Sequence, residues 1–528
     1  ARDTAAFLYS FSNALSLQGI YIQKVTIENF GSRVRDILYI SNARGEKIIE
    51  KEDQEALKIS TVLTKQFTHF LAWSPDPGRS LRYFEQFLEL ILEKKTAASL
   101  IPLVNRKETL DLLARLLGTS EFLWEDFLRL RFENLFPLLR DFKKTPMTVP
   151  RETLRKNLAA LLKKAGTYED KKEAINDFKD REMFRIDLKH LRDRPEQLSR
   201  FSKALSDLAD IVLEETGQVC CQELVKTYGR PLLETGKVCP FSIFGLGKYG
   251  GREMGFASDI ELIVVFGGEG ETDGPNRIGN GEFFERLTRE ILAFVTARRE
   301  GIFHIDLRLR PYGEKGTLAS PFDFIRSYYS PGGGAAPFER QALTKLRWVA
   351  GDRTLGKKVE QFRNRFAFSG EPWDIPAALE LRGRQIRELI KPGAVNVKIS
   401  PGGVIDIEYA VQYLQLLHGH EYSDLRTPST LKALEALRKR KFISQKDSGK
   451  IRKAYIFLRA LIDALRMVRG NARDLILPDK DSDDFKFLAR RMGYFGAEWN
   501  REAADLKKEI GQEMEVAHRF FISHFGTY

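Results

Sequence analysis

The residues best suited to chemistry in this chain lie in one run, Gly255-Phe256-Ala257-Ser258-Asp259-Ile260-Glu261-Leu262-Ile263-Val264-Val265-Phe266. Its apolar second half reads as a strand. Side chains alternate along a strand, so Asp259 and Glu261 share one face while Ile260 and Leu262 take the other. Two carboxylates side by side repel unless a cation lies between them, and this spacing points to a divalent metal. A bare Asp-x-Glu is common on exposed edge strands. Here the glycine turn, Ser258 beside the pair and the apolar run after it point instead to a buried strand that ends at a site. A second run repeats the logic: in Ile305-Asp306-Leu307-Arg308-Leu309-Arg310-Pro311, a strand would place Asp306, Arg308 and Arg310 on one face. A third carboxylate completes a site for one or two metals, and paired arginines suit phosphate oxygens. Simple neutralisation of the arginines by Asp306 on a surface strand is the alternative.

Upstream, Phe241-Ser242-Ile243-Phe244 leads into Gly245-Leu246-Gly247-Lys248-Tyr249-Gly250-Gly251. The literal G-x-G-x-x-G is a dinucleotide fingerprint only if a long helix follows, and too few residues separate Gly251 from the next strand. A P-loop is excluded because Lys248 is followed by Tyr249 rather than Ser or Thr. Asp406 and Glu408 form another acidic pair, but Tyr409, Tyr413 and Leu416 indicate a helix, on which residues two apart diverge by about 200°. Lys398, before the Gly402-Gly403 turn, either reaches a phosphate or is a solvated lysine. Glu339 and Arg340 belong to a helix, as an internal ion pair or as substrate contacts.

The elements that must position these residues are mostly helical. The 528 residues are too many for one core. Four parts are expected: 1–66, a small α+β unit; 67–235, helical; 236–352, the strand-and-glycine region with the acids; and 353–528, a C-terminal helical bundle. Phe84, Phe87, Leu88 and Ile91 form one apolar helical stripe, and Leu110, Leu113 and Leu117 another. The net charge of +12 is mild for this length and suits an anionic ligand such as a nucleotide. Basic residues alternate with acidic ones along helices, so nucleic-acid binding is not indicated. Membrane spans and a signal peptide are absent from the pattern. Cys220, Cys221 and Cys239 form no CxxC pair, which indicates a reducing, cytoplasmic setting without disulfides or structural zinc.

At the N-terminus, Leu8, Phe11 and Leu15 have helical spacing up to Gly19, and two strand-like runs follow, Ile20 to Glu28 and Val34 to Ser41. The stretch Ile22 to Ile48, with Asp36-Ile37-Leu38-Tyr39-Ile40 and Gly45-Glu46-Lys47-Ile48, resembles an ACT regulatory domain lacking its first strand. That resemblance implies a sensor of a small molecule such as an amino acid. A generic βαββ module is the alternative.

The glycine turn followed by Asp259-Ile260-Glu261 and a separate Asp306 resembles the polymerase-beta-like nucleotidyltransferase pattern. A closer resemblance is to the glutamine synthetase adenylyltransferases. It is carried by Gly247-Lys248-Tyr249-Gly250-Gly251-Arg252-Glu253-Met254, Ser258 to Leu262, Asp306-Leu307-Arg308-Leu309-Arg310-Pro311-Tyr312-Gly313, and Glu339-Arg340-Gln341-Ala342-Leu343 with Arg347 and Gly351-Asp352. Lys398, Gly402-Gly403 and Asp406-Ile407-Glu408-Tyr409 extend it to about residue 420, and Leu113 to Phe127 resembles the region upstream of the family's catalytic site. The resemblance implies an α+β, mostly helical multidomain chain in which helical domains flank a nucleotidyltransferase domain. Asp259, Glu261 and Asp306 would hold Mg²⁺, two ions in the family's arrangement. Gly250, Gly251 and Ser258 would cradle phosphate, and Arg308, Arg310 and Lys398 would hold the nucleotide. The substrates would be ATP, or ADP and phosphate in the reverse sense. The protein target would be glutamine synthetase, and a PII-type signalling protein is a further partner. Glu261 stands where the family usually has Asp. Family enzymes also carry two catalytic halves, one attaching AMP to a tyrosine and one removing it by phosphorolysis, whereas this chain has one. Arg308 to Glu314 leans towards the removing half. A uridylyltransferase of a nitrogen-signalling protein is disfavoured because the sequence has no His-Asp dipeptide for its hydrolytic half. A non-catalytic sensor on a degenerate transferase fold is the third reading.

Overall fold

A computed structural model of the chain describes residues 12, 15–16, 19–30, 33–92, 97–121, 124, 146–191, 197–297, 303–330, 332–470, 475–496 and 498–526. The chain divides into two compact units: residues 1–145 with 467–470 and 479–504, and residues 146–466 with 471–478 and 505–528. The helical stretch expected from 67 to 235 is thus split between them, and the C-terminal helices contribute to both.

In the first unit, β1 (Tyr21–Phe30) and β2 (Arg33–Ser41) form an antiparallel ribbon with a register shift near Gln23. The two expected strand runs are therefore present. Leu8 and Phe11 of the expected preceding helix lie outside the described residues. Leu15 and Ile20 pack with Ile22, Leu38 and Ile40 from one side of the ribbon. The stripe at Phe84, Phe87, Leu88 and Ile91 is buried on the helix Pro77–Leu92, as are Leu110, Leu113 and Leu117 on Lys107–Thr119. These stripes are core packing, as the spacing predicts.

The second unit is built on a five-stranded sheet. β3 (Phe241–Gly245) lies antiparallel to both β4 (Ile260–Phe266) and β7 (Arg347–Gly351). β5 (Ile305–Asp306) and β6 (Ala319–Pro321) both pair with β4 in parallel, β5 at its start and β6 at its end. The alternation of β3 and β4 assigns their residues to two cores. Phe244, Ile263 and Val265 join Ile325, Tyr328, Leu355 and Val359 on one face. On the other, Phe241 and Phe266 pack their rings on Phe284 of the helix Asn280–Phe294. Each such ring contributes roughly 1.5–3 kcal/mol on burial, so the strand carrying the acids is anchored from both sides. Glu261, in phase with Ile263 and Val265, sits where the first core reaches the end of the sheet.

Five helices position the site: α1 (Leu198–Tyr228), the single turn α2 (Gly247–Gly250), α3 (Val404–His418), α4 (Thr430–Lys439) and α5 (Gln445–Arg469). Among the described residues no helix is long and apolar enough to cross a membrane.

Candidate active site

Parallel pairing of β4 with β5 sets Ile260 beside Ile305 and Glu261 beside Asp306. Partners in register on adjacent strands point to the same face, so two acids far apart in sequence become neighbours at one sheet end, with Asp259 just before Glu261. One carboxylate oxygen of Asp259 is buried and accepts no hydrogen bond. Such an acceptor is costly to bury unless a cation or ligand takes it up.

Glu261 is held from behind by the glycine turn. Its Oε2 accepts the Lys248 N–H at 3.2 Å, and its backbone carbonyl accepts Leu246 N–H at 2.9 Å. Gly247 is required there: its φ is +50°, and a Cβ would fall 1.5 Å from Glu261 Oε2. Burial raises the Glu261 pKa, with Asp306 adding to the rise, and Lys398, Lys248 and the Lys248 N–H oppose it without cancelling it. A bound cation would remove that penalty.

Asp306 is differently placed. Its oxygens accept from Arg308, through the backbone N–H at 2.8 Å and the guanidinium at 2.9 and 2.6 Å. Burial raises its pKa, but the Arg308 side-chain and backbone hydrogen bonds outweigh this and the net shift is downward. Among the described residues no group of three acidic, His or Cys side chains stands ready to enclose a metal, and Asp306 is turned onto Arg308. Asp259 keeps one buried oxygen without a hydrogen bond, whereas the oxygens of Asp306 are taken up by Arg308.

The expected strand from Ile305 to Pro311 is corrected by the structure. Pairing stops at Asp306, and Leu307–Arg310 form a turn. Arg310 therefore does not share a strand face with Asp306 and Arg308. Its guanidinium donates to the carbonyls of Leu307, Glu314 and Gly316 at 2.9–3.0 Å, which closes the loop instead of facing phosphate. Arg308 is exposed beyond its contact with Asp306.

Gly250 and Gly251 also have a different task from the expected phosphate cradle. Their N–H groups donate to the carbonyls of Leu246 and Gly247. A Cβ on Gly250 would meet the Lys345 carbonyl at 2.1 Å, and one on Gly251 the Pro428 carbonyl at 2.9 Å. They are glycines of close packing. Ser258 Oγ accepts Gly255 N–H at 2.8 Å and so shapes the turn into Asp259. Lys398 is exposed and within electrostatic reach of Asp259 and Glu261.

Several positioning residues escaped the sequence reading. α5 grips the loop before Asp259: Arg459 donates to the Glu253 carbonyl at 2.5 Å, Asp463 accepts Phe256 N–H at 3.0 Å, and Arg466 donates to the Phe256 carbonyl at 2.8 Å. Glu253 is buried and accepts from Lys345 Nζ at 3.0 Å and Thr430 N–H at 2.5 Å. On α1, Asp210 accepts the Tyr249 hydroxyl at 2.7 Å and both terminal nitrogens of Arg347 at 2.9 Å, and Asp207 pairs with Arg252. The available signal was polar and charged side chains recurring every three or four residues inside apolar helical stripes, as at Tyr455, Arg459 and Asp463.

The second acidic pair diverges on α3 as helical geometry requires. Asp406 is fully buried against Arg382 at 2.8 Å, while Glu408 pairs with Lys248 and accepts the Tyr455 hydroxyl at 3.0 Å. Glu339 accepts the hydroxyls of Tyr328 and Tyr329, and Arg340 donates to the Ala367 and Glu371 carbonyls. Among the described residues they form no ion pair with each other, and these contacts tie them to neighbouring elements.

A glycine turn thus lies behind Glu261 on β4, with Asp259 just before the strand and Asp306 in register on the parallel neighbour. Residues 110–362 match the Glutamate-ammonia ligase adenylyltransferase profile. Residues 380–525 match the GlnD PII-uridylyltransferase profile. The chain is 35% identical over 303 residues to the bifunctional glutamine synthetase adenylyltransferase/adenylyl-removing enzyme of Aromatoleum aromaticum, covering 56% of this chain and 32% of that protein. The enzymes of the same description from Pseudomonas putida and Shewanella woodyi are 30% and 28% identical, over 69% and 80% of this chain and 37% and 43% of theirs. The chain thus spans well under half the length of these relatives.

Proposed function

We propose that this chain is a metal-dependent nucleotidyltransferase that attaches AMP to a tyrosine of glutamine synthetase or removes it by phosphorolysis. The observation that supports this most is the register pairing of Glu261 with Asp306, with the unsatisfied Asp259 oxygen beside them, in a segment matching that family. Asp259 and Glu261 would hold a divalent cation, taken here as Mg²⁺, with Asp306 joining when Arg308 turns to the nucleotide. A second ion fits the same set of acids. The metal supplies charge neutralisation at the phosphates.

The chain's own groups do the positioning. Arg308 and Lys398 place positive charge beside the acids, where phosphate oxygens would lie, and stabilise charge developing at phosphorus. Asp306, released from Arg308, is the carboxylate available to take the proton of a tyrosine hydroxyl attacking the α-phosphorus of ATP, with pyrophosphate leaving. In the removing direction, inorganic phosphate attacks the same phosphorus, and AMP-tyrosine yields ADP and free tyrosine. The order of the helices after residue 380, with their match to a PII-uridylyltransferase profile, favours a PII-type protein as a regulatory partner. The N-terminal ribbon is proposed as an ACT-like sensor of a small molecule such as an amino acid. Polymerase-beta-like architecture and a cytoplasmic setting belong to the same proposal.

Intact mass of purified glutamine synthetase tests it. Unmodified enzyme is incubated with this chain, ATP and Mg²⁺, and AMP-modified enzyme with phosphate and Mg²⁺, each also with Asp259→Asn. A metal-dependent gain of AMP marks attachment, and a phosphate-dependent loss marks removal. Neither change, with the chain folded, would put the non-catalytic sensor reading ahead.

A further inference from the structure

A cavity of about 760 Å³ opens between α1, α4, α5 and the loop that follows α2. That volume lies within the range of small-molecule sites, roughly 300–1,000 Å³. None of Asp259, Glu261, Asp306 or Lys398 lines it, whereas Gly251, Arg252 and Glu253 do. It therefore meets the catalytic loop from a wall that the acids do not share.

Its charge is unbalanced. Eight lining side chains are cationic and four are carboxylates. Each of the four carboxylates is paired with a cation outside the lining: Glu253 with Lys345, Glu360 with Arg353, Asp424 with Arg440 and Glu435 with Arg438. Four of the lining cations, Arg363, Lys432, Arg452 and Arg459, have no carboxylate within 4 Å among the described residues, although Asp463 and Glu253 act on Arg459, and Glu360 on Arg363, from further off. Arg363 is the most exacting case. It is 6% exposed, its Nε is buried without an acceptor, and one terminal nitrogen reaches the Thr344 carbonyl at 3.3 Å. A buried guanidinium without a directly paired carboxylate is expensive, and an anion supplied from outside reduces the cost. Burial lowers its pKa to about 10, Glu360 opposing and Arg426 reinforcing the fall, so the group remains charged at neutral pH.

We propose that this cavity is a binding site for a small polyanion bearing at least two phosphate or carboxylate groups, with Arg363 as its inner anchor and Lys432 and Arg452 at its rim. Two like charges on the ligand match cations at two depths. Fork-shaped hydrogen bonding by Arg363 would fix one anionic group, and the exposed rim cations would attract the other.

The test is isothermal titration of the full chain, in EDTA so that no divalent metal is present, with inorganic pyrophosphate in one arm and citrate in the other. Saturable one-site binding of either probe is expected, pyrophosphate preference indicating a phosphate-bearing ligand and citrate preference a carboxylate-bearing one. Arg363→Gln should weaken it at least tenfold, and Lys432→Glu with Arg452→Glu at least fivefold, while Asp259→Asn should leave it unchanged. If Arg363→Gln does not fold, as judged by circular dichroism, the rim variant decides. Absence of saturable binding in the unmodified chain, binding indifferent to the rim variant, or binding lost in Asp259→Asn would each overturn the proposal.

Discussion

Glu261 on β4 and Asp306 on β5 are direct register partners across a parallel strand pair. Two carboxylates so placed repel, and burial raises the Glu261 pKa while Arg308 keeps Asp306 ionised. The site is assembled around charges that a cation would reconcile.

Removing Asp259 or Glu261 should therefore abolish transfer while sparing the fold. Asp259→Asn and Glu261→Gln are expected to lower turnover by roughly 10²–10⁴-fold, the scale of a lost positioned catalytic group. Thermal melting should change little, because both substitutions relieve repulsion at the sheet end. A variant that melts early and loses activity in proportion would make these residues structural.

Arg308 and a metal compete for Asp306. Arg308→Gln should tighten Mn²⁺ binding to the nucleotide-free protein, read by electron paramagnetic resonance, and raise KM for the nucleotide by roughly ten- to hundredfold, the worth of one charged hydrogen bond. By contrast Arg310→Lys, which loses carbonyl contacts within its own loop, should lower the melting temperature and leave KM near its original value. The reverse pattern would restore the strand reading for Arg310.

Gly247→Ala should affect the site beyond its effect on stability. The new methyl meets the Glu261 carboxylate, and φ of +50° is strained for alanine. A destabilisation above about 1 kcal/mol is expected, with a kcat loss larger than in an Ala variant at exposed Gly281, where nothing lies within 4 Å. Equal effects at both positions would remove the role assigned to the turn.

Glu253 makes acid stability measurable. Burial raises its pKa, but Lys345, Lys248 and Arg459 outweigh it and bring the value from 4.5 to about 2. The unfolded chain then binds more protons than the folded one between those values. Glu253 therefore contributes stability above pH 4.5 that is lost as pH falls towards 2. Glu253→Gln should flatten that acid limb in urea unfolding, and it should cost about 3–5 kcal/mol at pH 7 because Lys345 loses its buried partner. An acid limb unchanged by the substitution would show that other carboxylates carry it.

Local pattern was enough for much of this protein. The alternation in Asp259-Ile260-Glu261-Leu262 determines which side chains share a face, and the apolar run to Phe266 determines that the strand is buried, because a strand's period depends only on its own backbone. The divergence of Asp406 from Glu408 was legible for the same reason on a helix. The sequence by itself also marked Asp306 and Lys398 as charges worth placing. What it left open were contacts between distant segments. Tertiary pairing alone put Asp306 level with Glu261 and ended β5 there, so that Arg310 turned inward to carbonyls. It alone put Lys345 and Pro428 so close to Gly250 and Gly251 that these glycines serve packing. The grip of Asp463 and Arg466 on Phe256 has the same origin. Register between strands and the partner of a buried charge are set by free energy summed over the whole core, and no window of neighbouring residues contains that sum.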